Sequence, residues 1–169
     1  SMPGGRRRLR LSQRYPLQPA QPGQRDKVGV GQVGLVEVQL AQLFERLASV
    51  CGDQTVLATN TSSLSVTAIA SAVTRPERIV GMHFFNPPPV MALLELTPSD
   101  ATTEETFELI RDFGTDVLGK TCVRSGDQAG FIVNRLLVPY LFDAIRLLES
   151  GFASREDIDT AMRLGLAHP

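Results

Sequence analysis

The chain is poor in the residues that metal centres and covalent scaffolds require. Its 169 residues include two cysteines, Cys51 and Cys122, far apart and without a C-x-x-C pair, and two histidines, His83 and His168. A disulfide framework, a structural zinc site and a histidine-rich metal centre therefore lack their ligands. No apolar run approaches the roughly eighteen residues that a membrane span needs. Acidic residues are missing from residues 1–25, which hold six of the 17 basic residues. The remainder sets eleven basic against 18 acidic residues, a net of −7, although the whole chain sums to −1. That balance disfavours nucleic acid as the main partner. What is present is ordinary for a globular chain: 43% hydrophobic and 21% charged residues, enough for a core, with a length that suits one domain or slightly more.

Residues 1–33 read as a disordered arm rich in Arg, Pro and Gln. Pro16, Pro19 and Pro22 each remove an amide donor and turn the preceding residue away from helix. The run Arg6-Arg7-Arg8-Leu9-Arg10 has three readings: a mitochondrial presequence, which the proline spacing discourages, a phosphate-binding patch, or a solvated tail. Gly29-Val30-Gly31-Gln32-Val33-Gly34 fits G-x-G-x-x-G, the glycine turn of dinucleotide-binding folds. The required strand before it is missing, so the match is weak.

Periodicity becomes legible after residue 35. Leu40, Leu43, Phe44 and Leu47 form the apolar stripe of a helix over 36–50. A strand over 55–59 follows, then a short helix capped by Ser63 or Ser65 and running to about Ala72. Strands are expected over 79–85 and 93–97, a helix over 102–118, and a brief strand over 121–124. A long apolar helix over 130–149 ends at Gly151 in a left-handed cap, and Ser154 opens a last helix through Leu164. The predicted fold class is α/β: an incomplete Rossmann-type layer over 34–126, followed by the start of an all-α domain over 127–169.

Polar residues stand where strands are expected to end, at Asn60-Thr61-Ser62-Ser63, His83, Asn86 and Glu95, and ligands of open α/β sheets gather at strand carboxyl ends. His83, set among bulky apolar neighbours, is either a satisfied core residue or a placed proton carrier. Glu95 interrupts Leu93-Leu94-Glu95-Leu96, where a carboxylate is costly unless paired. Both residues are six positions from Pro89, so a hairpin symmetric about that proline sets them opposite each other, about 5 Å apart at Cβ. A carboxylate on one ring nitrogen would fix the tautomer and leave the other as a base. The alternative is a buried ion pair with no substrate. Asn134 is the polar intruder in the long helix, either capping a neighbouring backbone group or facing a ligand. Arg135 beside it is either solvated or paired across helices.

Taken together, Asn60-Thr61-Ser62-Ser63-Leu64, the run from Met82-His83-Phe84-Phe85-Asn86-Pro87 to Met91, and Gly130-Phe131-Ile132-Val133-Asn134-Arg135 resemble the 3-hydroxyacyl-CoA dehydrogenase family, its 3-hydroxybutyryl-CoA branch above all. The likeness runs from about Val56 to Pro169 and includes Ala153 to Asp159. It implies NAD-dependent oxidation of an (S)-3-hydroxyacyl-CoA, 3-hydroxybutyryl-CoA by branch, to the 3-ketoacyl-CoA in fatty-acid or butanoate metabolism. By resemblance, His83 is the general base, Glu95 orients and stabilises its imidazolium, and Ser62 and Asn134 hydrogen-bond the reacting oxygen or nearby thioester. Asn60 and Asn86 lie near the nicotinamide and its ribose. Implied partners are an acyl-CoA substrate and a second copy bound through the C-terminal helices, with neither nucleic acid nor a membrane span. The implied location is a bacterial-type cytoplasm, with the mitochondrial matrix as the alternative.

The departures from the family are specific. Its opening strand, glycine turn and first dinucleotide-binding half normally precede the Asn-Thr-Ser-Ser loop by roughly a hundred residues, whereas here the glycine triplet stands close before it. A lysine usual in the preceding helix is absent near Leu40. Beyond His168-Pro169 the family continues with further helices. The expectation is a truncated form of the enzyme; the alternative is a non-catalytic dimerising or interaction fragment.

Overall fold

The structure, a computed structural model, describes the backbone of residues 30–168 and the side chains of residues 35–168. Its elements are α1 (Val30–Val50), β1 (Leu57–Thr59), α2 (Val66–Ser71), a 3-10 turn (Pro76–Arg78), β2 (Ile79–Phe84), β3 (Leu93–Pro98), α3 (Glu104–Asp112) with a wide π turn (Phe113–Val117), β4 (Thr121–Arg124), α4 (Val133–Glu149) and α5 (Arg155–Leu166). The α/β class and the element order are as the periodicity predicts. Several boundaries differ: β1 starts at Leu57 rather than 55, and the long helix expected from 130 starts at Val133, because Gly130 and Phe131 take positive φ. Helix α1 begins at Val30, inside the stretch expected to belong to the arm; the rest of that arm lies outside the described residues. The helix expected to reach Leu118 leaves α-geometry at Phe113.

The four strands lie in the order β1-β2-β3-β4. β1 and β2 are parallel and joined through α2, β2 and β3 form an antiparallel hairpin, and β3 and β4 are parallel and joined through α3. Side chains alternate across the sheet, so the two faces carry separate cores. Phe44, Leu57, Val66, Ile69 and Ile79 pack under α1 and α2. Val80, Met82, Leu94, Leu96, Phe107 and Ile110 pack under α3 on the other face. His83 therefore shares the face of Ile79, not that of Val80 and Met82. Leu43, counted in the expected α1 stripe, is 48% exposed, whereas Phe44 is buried and Leu40 and Leu47 pack partly buried against the same core.

Buried Arg78 ties α1 to the sheet. Its Nη1 donates to the carbonyl of Gly52 and its Nη2 to that of Ala48, answering carbonyls at the end of α1. Helices α4 and α5 bury none of their own residues.

Candidate active site

The hairpin β2–β3 pairs His83 directly with Glu95. The register follows from the turn centred near Pro89, as the sequence symmetry suggests. His83 Nδ1 lies 2.7 Å from Glu95 Oε2, and the two side chains are 8% and 0% exposed. The second oxygen, Oε1, accepts the backbone N–H groups of Ile132 at 3.1 Å and Val133 at 2.9 Å, at the start of α4. The two amides fix Oε1 as an acceptor, and Oε2 accepts from the imidazole when the ring proton sits on Nδ1. Acceptance at both oxygens matches an ionised carboxylate, with the imidazole donating from Nδ1 and Nε2 left bare. The amino terminus of a helix adds a positive partial charge where the buried anion needs it. Glu95 was expected at a strand end. It sits inside β3, and it joins the carboxyl end of β2 only because β3 runs antiparallel.

The other expected site residues fall into two groups. Ser62 and Asn134 line one cleft of about 420 Å³, together with Ser63, Gly130 and Arg135. His83 is not among its lining residues. Two of its lining residues are joined directly, the Gly130 N–H donating to the Ser62 carbonyl at 3.2 Å. Arg135 is exposed and forms no ion pair among the described residues. Asn60 follows β1 and accepts the Phe84 N–H at 2.9 Å, so it staples the carboxyl ends of β1 and β2. Asn86 is exposed just beyond β2.

Three further residues shape this region without a sequence signal that singles them out. Asp127 accepts from the N–H groups of Val66 and Thr67 and from the Ser65 hydroxyl, all at the start of α2. Burial pushes its carboxyl up, but the donors from Thr67, Val66 and Ser65 together hold it below the ordinary carboxylate value. Phe131 is buried against the His83 ring. Lys120 Nζ donates to the carbonyls of Pro88 and Met91 and so braces the hairpin loop next to Asn86. Only Lys120 carries a faint cue, a lone cation directly before a short strand.

A family model described as the 3-hydroxyacyl-CoA dehydrogenase NAD binding domain matches residues 38–128. A second, described as the 3-hydroxyacyl-CoA dehydrogenase C-terminal domain, matches residues 130–169. The chain belongs to the 3-hydroxyacyl-CoA dehydrogenase family. It is 55% identical over 128 residues to the human mitochondrial hydroxyacyl-coenzyme A dehydrogenase, which covers 76% of this chain and 40% of that one. It is 46% identical over 134 residues to a 3-hydroxybutyryl-CoA dehydrogenase of Mycobacterium tuberculosis, covering 79% and 47%. The crystal structure of M. tuberculosis FadB2 superposes with a TM-score of 0.76 at 46% identity, covering 79% of this chain and 47% of that one. That of (S)-3-hydroxybutyryl-CoA dehydrogenase from Ralstonia eutropha superposes at 0.75 with 38% identity, covering 78% and 46%. The chain thus spans less than half the length of these dehydrogenases. Relatives in the family include mitochondrial and bacterial proteins, and among the described residues no helix is long and apolar enough to cross a membrane.

For a nicotinamide dinucleotide, the described residues of this family member fit one end. Asn60, Asn86 and His83 gather at the carboxyl ends of β1 and β2, the place where open parallel sheets receive ligands. The pyrophosphate end is not supplied by the glycine triplet, because Gly31 and Gly34 lie within α1 and not in a strand-to-helix turn.

Proposed function

We propose that this chain carries the proton-handling half of an NAD-dependent 3-hydroxyacyl-CoA dehydrogenase, which oxidises an (S)-3-hydroxyacyl-CoA, 3-hydroxybutyryl-CoA first among them, to the 3-ketoacyl-CoA. The observation that carries the reading is the buried 2.7 Å contact between His83 and Glu95 at the carboxyl end of β2. His83 Nε2 takes the proton of the C3 hydroxyl as the carbonyl forms. Glu95, held by two α4 amides, keeps the ring in the required tautomer and stabilises the imidazolium. Ser62 and Asn134, from the neighbouring cleft, donate to the oxygen as it gains alkoxide character, each donor contributing roughly 2–4 kcal/mol. Bound NAD supplies the hydride acceptor, with Asn60 and Asn86 at the nicotinamide end.

The same reading includes domains at 34–126 and 127–169 after the arm 1–33, and a homodimer formed through the C-terminal helices. It places the protein in a bacterial-type cytoplasm, with the mitochondrial matrix as the alternative. In support of the dimer, Leu136, Leu141, Phe142 and Ile145 of α4 are each about half exposed or more. The same exposed apolar residues favour a second reading, a binding function without turnover. Spectrophotometric reduction of acetoacetyl-CoA with NADH separates the two. Turnover that His83→Ala abolishes supports the enzyme, whereas NADH that neither binds nor is consumed supports the binding function.

A further inference from the structure

The helical segment sends one side chain deep into the α/β layer. Phe131, just before α4, is 4% exposed and packs with Phe44, Leu57, Val66 and Ile69, although α4 and α5 themselves bury nothing. Its backbone is left-handed, with φ 48°, directly after Gly130 at φ 83°. A Cβ on Gly130 would stand 2.9 Å from the Arg135 amide nitrogen, so the turn admits a side chain only at the second position. An aromatic residue at positive φ is uncommon and persists only where its surroundings over-determine it.

Two contacts show what the strained turn secures. The Phe131 ring lies against the His83 imidazole, centroids 5.4 Å apart and planes at 58°, while Phe85 contributes a second ring at 4.7 Å and 57°. The two residues after Phe131 are those whose N–H groups meet Glu95 Oε1. We propose that Phe131 is a positioning residue for the His83–Glu95 pair. Its ring confines the imidazole to the orientation that meets Glu95, and its left-handed backbone aims the Ile132 and Val133 amides at the other carboxylate oxygen. One side chain, touching no substrate or cofactor in this reading, sets both partners. The structural part stands on the contacts above; its kinetic consequence rests on the dehydrogenase reading.

The sequence has two histidines, so the full chain carrying His168→Gln reports His83 alone by nitrogen NMR. Expected at mildly alkaline pH is one tautomer, with a slowly exchanging proton on Nδ1 and a nuclear Overhauser contact between the His83 and Phe131 rings. Adding Phe131→Leu should keep the chain folded but remove the slow Nδ1 proton and mix the tautomers. Phe131→Met, unbranched and more adaptable in shape, provides the same comparison if the leucine variant does not fold. In turnover of acetoacetyl-CoA, either variant should lower kcat about tenfold or more while KM changes by less than about threefold. A folded Phe131→Leu or Phe131→Met chain that retains the single tautomer and the slow proton overturns the proposal, as does a missing ring-to-ring contact in the parent. Absence of turnover in the unaltered chain counts against the dehydrogenase reading alone, and the tautomer comparison still decides the role of Phe131.

Discussion

Glu95 has no exposed surface and stands between Leu94 and Leu96, so its charge is tolerable through the three donors around it: the imidazole and two amides. Removing one partner of such a pair leaves the others unanswered. Glu95→Ala should destabilise the fold by about 3–5 kcal/mol, read as a shift in the urea midpoint. Glu95→Gln keeps the shape but can donate towards Nδ1, favouring the wrong tautomer; kcat should fall on the order of 10²–10⁴ with a smaller loss of stability. A result in which Glu95→Gln turns over like the parent would remove Glu95 from the chemistry. Arg78 presents a purely structural contrast. Replacing it by Met leaves the carbonyls of Gly52 and Ala48 without their charged donor and should cost about 1.5–3 kcal/mol without changing KM in assays of the folded fraction. At this scale the His83–Glu95 contact was legible because a hairpin pairs residues equidistant from its turn. The amides on Oε1 were not, since they arrive from 37 and 38 residues further along and no local spacing encodes that approach.

The short helix α2, six residues long, cannot hold itself together by propensity. Ser65 caps it from within, accepting the Ala68 N–H, and Asp127 caps it from across the fold. Asp127→Ala should cost about 1–2 kcal/mol, the usual worth of an N-cap. Because the folded carboxyl titrates below its ordinary value of 3.8, its contribution is complete above that value and is lost as pH falls through the lower, folded one. The variant should therefore lose part of the acid-side slope of stability seen below about pH 4 in the parent; equal slopes in both would show that the cap does not titrate with folding. In α3 the π turn widens the last coil, and Val117, inside the helix expected over 102–118, is 67% exposed there. The turn also brings Gly114 against Cys122 Sγ and Leu94, leaving no room for a methyl group. Gly114→Ala should lower stability by about 1–3 kcal/mol through overpacking, checked by thermal melting. Strands and two helix caps were readable from local chemistry: Ser65 and Ser154 each accept a first-turn N–H, as a serine at a helix start predicts, and Thr103 does the same for α3. The start of α1 was not readable, because Gly31 and Gly34 argue against helix there, nor was the π turn, which depends on how Gly114 fits against Cys122 and Leu94.

Across the molecule the packing is uneven. The sheet has a core on each face, whereas α4, α5 and the turn between them present Leu136, Phe142, Leu164 and Phe152 to the exterior. Sedimentation over a range of concentrations should show self-association that Leu136→Glu with Phe142→Glu abolishes; a monomer at every concentration would remove the dimer from the proposed function. The α/β layer and the helical segment meet through few residues, and Glu95 belongs to both the proposed chemistry and the join. A fold can often give up some stability at a reactive residue in exchange for function. Here that exchange is closed, because the oxygen that steers the imidazole and the oxygen that seats the helix are two ends of one small anion. Any change that weakens its hold on the helix also disturbs the ring, so loss of reactivity and loosening of the architecture should arrive together.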